Sequence, residues 1–164
     1  MEKIEQNKIE AKDTRSGVVH VVLVYVYTIF FVSIILGISF DLIFKLDLLA
    51  NFEHSYFGLV IIIFGTMLIY LAQEASSRSS KIRTEENSVD GFAFGPYKHF
   101  RHPTYLGVFL MVLGFGIIIK SAFSILFILI TYLIVKLVFV KKEERILEKK
   151  YGQIYLDYKK KVKM

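Results

Sequence analysis

A proline-bounded polar segment holds residue types that could bind a charged ligand. It reads GPYKHFRHPTYLG over residues 95–107 and contains both prolines of the chain. Because proline fixes its own backbone and disfavours helix at the residue before it, we predict a shaped loop that leads into a helix starting near Pro103. The Arg101 guanidinium and a helix N-terminus together favour an anion such as a carboxylate or phosphate. An ordinary interfacial loop rich in aromatic and basic residues would have a similar composition.

A second polar segment, KKEER at residues 141–145, places two adjacent carboxylates at the end of a long apolar run. Glu143 and Glu144 could accept hydrogen bonds from sugar hydroxyls or hold an ammonium group, or they could be solvated partners of the neighbouring lysines. If the apolar run folds back as a hairpin, this segment returns beside Arg101 and His102. Two separate polar clusters that meet at one face of a membrane form a stronger site candidate than either cluster alone.

The composition of the whole chain indicates a membrane protein. Its 164 residues are 54% hydrophobic and have a mean hydropathy of +0.50, and a single domain of this size (residues 1–164) has too little interior to bury so much apolar surface. The net charge of +6 comes from basic residues that flank apolar runs. This is typical of cytoplasmic loops and of contacts with anionic membrane lipids, so we predict no nucleic-acid partner. Cysteine is absent, which excludes a thiolate metal site, and we predict no bound metal.

Four apolar runs must position the polar segments. We predict an all-α, polytopic integral membrane protein whose spans lie at about residues 18–40, 55–72, 104–119 and 121–140. As one helix, the apolar stretch Tyr105–Val140 would reach about 54 Å, which is too long for one crossing of a hydrocarbon core of about 30 Å. We therefore predict a hairpin that turns near Lys120 and Ser121. Gly58 and Gly65, on one face of the second run, are predicted to let two helices approach closely.

The distribution of Lys and Arg predicts the orientation of the chain. The N-terminal segment carries four of them, the loop around residues 73–101 five and the C-terminal tail nine, whereas the opposite side has only Lys45 and Lys120. The positive-inside rule then places both termini in the cytoplasm. Apolar residues at three- and four-residue steps in the tail predict a basic amphipathic helix on the membrane surface, with Gly152 as a candidate break. These residues are Leu147, Tyr151, Ile154, Tyr155, Tyr158 and Val162.

The joint pattern of GPYxxxRHPxYxG, a membrane hairpin and EExxLxxxYGxxYxxY resembles the isoprenylcysteine carboxyl methyltransferase family. That family is part of a wider group of membrane methyltransferases, which includes phospholipid N-methyltransferases. The resemblance covers residues 91–162. It implies a pocket for S-adenosylmethionine at the cytoplasmic face, formed by residues 89–107 and 141–158, with an opening to the bilayer for a lipophilic acceptor.

The resemblance also implies roles for individual residues, with Arg101, His102 and Glu143 as the catalytic candidates. Arg101 would pair with the methionine carboxylate of the cofactor or stiffen the loop, and Glu143, with Glu144, would hold the cofactor's polar groups. The cofactor pocket would be lined by further matched positions, namely Tyr97, His102, Pro103, Thr104 and Tyr105.

The chain departs from the family pattern at two places. Residues 91–94 read GFAF, where the family has a sequence similar to Leu-Val-Thr. Phe139 stands where the prenylcysteine enzymes have an arginine for the substrate carboxylate. We therefore predict Phe139 and a nearby cation, Lys136 or Lys142, as the residues that meet the acceptor.

The predicted function is methyl transfer from S-adenosylmethionine to a lipophilic small molecule, a lipid or a prenylated peptide. Carboxyl methylation of a prenylated cysteine is the nearest family reaction, and an ionised carboxylate needs only alignment with the methyl group and exclusion of water. N-methylation of a lipid amine is the alternative, for which Glu143, Glu144 or His102 could take the proton. A non-catalytic membrane adaptor and a small transporter are the rival classes, although the first two spans contain no acidic residue for ion coupling.

Cysteine labelling tests the predicted topology, because the chain contains no cysteine of its own. Lys3→Cys, Glu85→Cys and Lys160→Cys should be shielded from an impermeant thiol reagent in intact cells, whereas Asn51→Cys should react. Permeabilised cells provide the control that each cysteine is reactive. Labelling of Glu85→Cys in intact cells would overturn the orientation.

Overall fold

The computed structural model describes residues 24–44, 56–86 and 92–162, and almost all of them are helical. The all-helical prediction is therefore confirmed for this part of the chain. The elements in chain order are α1 (Val24–Phe44), α2 (Tyr56–Glu86), a 3-10 turn (Gly95–Lys98), α3 (Pro103–Ile118), α4 (Ala122–Ile134), a π-helical turn (Val135–Val140), α5 (Lys141–Tyr151) and α6 (Gln153–Lys161).

Three of the described helices are long and apolar enough to cross a membrane. They are Val24–Phe44, Tyr56–Arg78 and Ala122–Tyr151, the last being continuous because the π-helical turn joins α4 to α5. Helix α3 is also apolar but has 16 residues, which gives about 24 Å against a hydrocarbon core of about 30 Å. Three spans are thus supported within the described residues, and the fourth stays a prediction.

Two of the helices extend far beyond the predicted ends of their spans, and α1 passes its predicted end at residue 40 by one turn, to Phe44. The second span is predicted to end at residue 72, but α2 continues to Glu86, and the fourth is predicted to end at residue 140, but its helix continues to Tyr151. Glu, Lys and Arg are frequent in both extensions, and as good helix formers they carry the helix beyond the apolar run. The predicted start of the first span, at residue 18, lies outside the described residues.

The outward faces of the long helices are apolar. Phe31 on α1 and Phe64 on α2 are each 63% exposed, and Leu133 on α4 is 57% exposed. Exposing such side chains to water would cost about 25 cal/mol per Å² of apolar surface, so these faces are suited to lipid. The length and the surface of these helices identify the chain as a membrane protein.

Glycine residues bring α2 and α3 into direct backbone contact. A Cβ atom added to Gly58 would lie 2.5 Å from the carbonyl oxygen of Gly114, and one added to Gly65 would lie 2.7 Å from that of Gly107. Any larger side chain at these positions would force the helices apart. The prediction that Gly58 and Gly65 serve helix packing is confirmed, and α3 is held firmly along α2.

The chain turns between α3 and α4 where the sequence predicts a hairpin. Lys120 adopts a positive φ of 56°, and the hydroxyl of Ser121 caps α4 by accepting a hydrogen bond from the Ser124 amide. Asp41 of α1 accepts hydrogen bonds from the Ser121 hydroxyl and, at 3.4 Å, from the Phe123 amide. A carboxylate at a helix N-terminus stabilises that end of α4. The first helix therefore fixes the turn of the hairpin.

A hydrophobic core holds α1 against the hairpin. Its buried members include residues from all three helices, among them Val26, Phe30, Val108, Val112, Ile128 and Val135. A hydrogen bond of 2.5 Å between the hydroxyls of Ser33 and Thr131 adds a polar contact inside this interface. Because α3 and α4 run in opposite directions, the start of α3 and the end of α4 lie at the same end of the bundle.

The C-terminal tail forms two helices that break at Gly152. This glycine has a φ of 56°, a conformation that other residues rarely adopt. The tyrosine face of α6 packs on the chain itself, since Tyr155 and Tyr158 are buried with Phe92 in a second apolar cluster. Val162 is buried in the same cluster, and Leu147, Tyr151 and Ile154 are partly buried against it. Contact of the tail with lipid stays a prediction.

Candidate functional site

Two short elements shape the polar loop that precedes α3. Gly95 has a φ of 55° and opens the 3-10 turn, with Pro96 inside it. Pro103 then occupies the first turn of α3, and His102 is the capping residue before it, as the spacing of the prolines predicts. The side chains of Arg101 and His102 therefore project from the backbone immediately before α3 begins.

The end of the α4–α5 helix returns to this loop and brings the two polar segments together. Arg101 Nη1 lies 2.7 Å from Glu144 Oε1, and both side chains are about nine-tenths buried. The imidazole of His102 lies between the two carboxylates, with Nδ1 3.4 Å from Glu143 Oε2 and Nε2 3.5 Å from Glu144 Oε1. The hairpin therefore brings the two polar segments together, as the sequence analysis predicts.

A third segment joins the cluster through a residue that the sequence analysis did not single out. Lys159 of α6 places its Nζ atom 2.8 Å from Glu144 Oε2 and 2.8 Å from Glu148 Oε1. Its neighbour Tyr158 donates a hydrogen bond of 2.9 Å to the carbonyl of Tyr97 in the polar loop. The spacing of the tyrosines in the tail could have pointed to Lys159. These tyrosines mark the side of α6 that packs inward, and Lys159 directly follows one of them.

The charges of the cluster shift the pKa values of its members. The nearby imidazole of His102 lowers the pKa of Glu144 to about 2, with Lys159 and Arg101 adding to this effect and burial opposing it. Burial would lower the pKa of His102, but Glu143 and Glu144 outweigh it and raise that pKa above 6.5. Glu144 and Glu148 raise the pKa of Lys159. The cluster therefore favours the ionised forms of Glu144, His102 and Lys159.

Three buried polar atoms of this cluster have no hydrogen-bond partner within the described residues. They are Arg101 Nε, His102 Nε2 and Glu143 Oε2. Leaving such an atom unsatisfied typically costs about 1–3 kcal/mol, and unpaired polar groups in a buried site are candidate ligand contacts. Two nitrogen donors and one carboxylate acceptor suit a ligand that carries both an anionic and a cationic group.

A small cavity lies beside the cluster, between α3 and α4. Its volume is about 60 Å³, which is room for a small chemical group. Three of its lining residues are basic, namely Arg101, His102 and Lys136, and Lys136 has no ion-pair partner in the part of the chain that is described. The rest of the wall is mostly apolar and aromatic, formed by Phe100, Tyr105, Leu106, Tyr132, Val135 and Val140.

The structure brings some of the predicted site residues to this cavity and leaves others away from it. Arg101, His102, Tyr105 and Lys136 line the cavity. Glu143 and Glu144 do not line it but contact Arg101 or His102. The residues outside the lining are Tyr97, Pro103 and Thr104.

Phe139, which is predicted to lie beside the acceptor, is not among the residues that line the cavity. It packs against the hydrophobic core instead. Lys136, three residues before it, and Val140, the next residue, both face the cavity. Residues three apart are neighbours on a regular α-helix, but Phe139 lies in the π-helical turn Val135–Val140, whose wider winding turns it away from Lys136.

Comparison with known proteins gives one family match. The model of the phospholipid methyltransferase family matches residues 54–154, more than half of the chain, from just before α2 to just after α5. This region contains both polar segments and the cavity. Neither the curated proteins nor the solved structures gave a significant match.

The raised pKa of His102 makes a prediction about stability and pH. Because the folded chain favours the imidazolium, its contribution is complete below pH 6.5, the ordinary pKa, and is lost as the pH rises through the raised pKa. Glu144 stays ionised over this range. The melting temperature of His102→Gln should therefore fall below that of wild type by a few degrees at about pH 5.5, equivalent to about 1 kcal/mol, and by less at about pH 9.

Thermal unfolding of the detergent-solubilised protein at the two pH values measures this difference. His99→Gln is the matched control, because His99 is exposed in the same loop and should show no such dependence. An equal deficit for His102→Gln at both pH values would contradict the charged contact with the glutamates.

Proposed function

The chain belongs to the phospholipid methyltransferase family, and we propose that it transfers a methyl group from S-adenosylmethionine to a lipophilic acceptor at the cytoplasmic face of a membrane. The observation that carries this proposal is the buried cluster in which Arg101, His102 and Glu143 each retain an unbonded polar atom. This cluster lies at the end of the α3–α4 hairpin, beside a cavity with largely apolar walls.

The residues present fit the charged end of S-adenosylmethionine. Its amino-acid part has one carboxylate and one ammonium group, and the free donors Arg101 Nε and His102 Nε2 suit the carboxylate. Glu143 Oε2 is an acceptor for the ammonium group. The cofactor supplies a methyl group that is already activated by a sulfonium. The chain therefore needs no metal and no nucleophile of its own for this reaction.

The chain's own residues would align the acceptor and exclude water. The aromatic and aliphatic walls of the cavity would keep water from the reacting atoms, and a fixed orientation would remove much of the entropy cost of a two-substrate reaction. An ionised carboxylate can react without a base. An amine must first lose a proton, which Glu143, next to His102, could accept.

The position of Lys136 supports an acceptor that carries an anionic group. It is a cation without an ion-pair partner among the described residues, on the wall of a cavity whose remaining surface is largely apolar. A prenylcysteine carboxylate would satisfy it directly, and this is the acceptor that we propose first. The phosphate of an ethanolamine phospholipid would satisfy it as well, and the family match favours this second candidate, for which the reaction is N-methylation.

The proposed orientation places both termini and the site in the cytoplasm. Arg101 and Lys159 of the cluster belong to the two basic segments 73–101 and 141–163, in agreement with the positive-inside rule. A non-catalytic adaptor with the same fold would retain the hairpin but would have no use for the unbonded atoms of the cluster. Cofactor binding separates these two classes.

Calorimetry with the detergent-solubilised chain tests cofactor binding. Wild type should bind S-adenosylmethionine or S-adenosylhomocysteine, and Arg101→Ala and Glu143→Gln should each weaken binding about ten- to a hundredfold, since a charge-assisted contact contributes roughly 1.5–3 kcal/mol. Lys142→Met, an exposed change beside Glu143, is the control. If well-folded wild type bound neither S-adenosylmethionine nor S-adenosylhomocysteine, the proposal would be wrong.

Methyl transfer from radiolabelled cofactor identifies the acceptor. We expect Lys136→Met to raise the KM for the accepted substrate about tenfold, as for the loss of one ion pair, while the KM for the cofactor stays unchanged. A prenylcysteine analogue and an ethanolamine phospholipid are tested in parallel, with Lys149→Met, an exposed change on α5, as control. Labelling of the phospholipid alone would transfer the assignment to lipid N-methylation, and an unchanged KM in Lys136→Met would exclude the proposed anion contact.

A further inference from the structure

The two adjacent glutamates of the cluster differ in what remains free on their carboxylates. Glu144 is held at both oxygens, with Arg101 Nη1 2.7 Å from Oε1 and Lys159 Nζ 2.8 Å from Oε2. Its side chain is 9% exposed, which leaves little access for a ligand. The Glu143 side chain is 29% exposed, and its buried Oε2 atom, 3.4 Å from His102 Nδ1, has no hydrogen-bond partner in the described residues.

Helix α6 contacts both polar segments through two consecutive residues. Lys159 bridges Glu144 and Glu148 on α5, while the hydroxyl of Tyr158 donates to the Tyr97 carbonyl in the loop. The aromatic cluster around Phe92 buries Tyr155 and Tyr158 and fixes the side of α6 that faces the site. The Lys159 ammonium is therefore placed by packing and not only by its own ion pairs.

We propose that Lys159 is a positioning residue for the methyl-transfer site. By holding Oε2 of Glu144, it keeps the opposite oxygen on Arg101 and so fixes the direction of the guanidinium. Because Glu144 is held in this way, Glu143 is the carboxylate that contacts the ligand. This inference rests on the proposed function, because the ligand at Arg101 and Glu143 is taken to be the cofactor.

Removal of Lys159 changes the balance around Glu144. The carboxylate would keep Arg101 and His102 but lose the cation on Oε2, so it could rotate, and the guanidinium would follow it. Because Lys159 is about one-third exposed, solvent would partly replace the lost contact. The effect should therefore be smaller than that of removing Arg101 itself.

Titration of the full-length, detergent-solubilised chain with S-adenosylhomocysteine tests this role. Lys159→Met should weaken binding about three- to tenfold, whereas Lys159→Arg, which keeps the charge, should bind nearly as wild type. Lys160→Met is the matched control, because Lys160 is exposed and pairs only with Asp157 among the described acids. In the transfer assay, Lys159→Met should raise the KM for cofactor and leave kcat nearly unchanged.

The outcomes separate this inference from the proposed function. If wild type binds no cofactor, the function fails. If wild type binds and Lys159→Met binds equally well, only the positioning role fails. A lower kcat with an unchanged KM would indicate a loss of folded protein and would also overturn it. Lys159→Gln is the second variant should Lys159→Met be unstable, and failure of both to fold would assign Lys159 to the fold instead.

Discussion

The ion pair between Arg101 and Glu144 is the interaction on which the site depends. It joins residues 43 positions apart in sequence and closes the polar end of the hairpin. Removing one partner of a buried pair leaves an uncompensated charge, which typically costs about 3–5 kcal/mol. His102 and Lys159 surround the same carboxylate, so a single acidic group organises three basic side chains from two separate segments. The unbonded atoms of the site are held in place by this charge balance.

The apolar helices make such a concentration of charge sustainable. Backbone contact through Gly58 and Gly65 holds α3 along α2, and Asp41 anchors the opposite end of the hairpin. Little freedom remains for the start of α3 to move relative to the end of α4. The ligand atoms therefore meet groups that are already oriented, which reduces the entropy cost of binding. The rigid bundle supplies this orientation, and the polar ends supply the chemistry.

Much of this arrangement could be predicted from the sequence. Apolar run lengths gave the helices, and the position of Lys120 and Ser121 gave the turn that brings Arg101 and Glu144 together. Three features could not be read in this way. The positions of the helix ends depend on the helix propensity of the polar residues that follow the apolar runs. The direction of the Phe139 side chain depends on the local helical winding. The ion-pair partner of Lys159 depends on how α6 packs. Each is a tertiary property that residue spacing alone does not determine.

The π-helical turn at Val135–Val140 has a consequence for the angular phase of the long helix. In a regular α-helix, residues four apart are offset by about 40°, so the row from Tyr132 through Lys136 and Val140 to Glu144 would drift by about 120°. A wider turn rotates less per residue and cancels part of this drift. Cavity wall and glutamates can then share one side of the helix. The number of residues between Tyr132 and Glu144 is therefore constrained as strictly as the identity of a side chain. One inserted or deleted residue would turn the carboxylates away from Arg101 and His102.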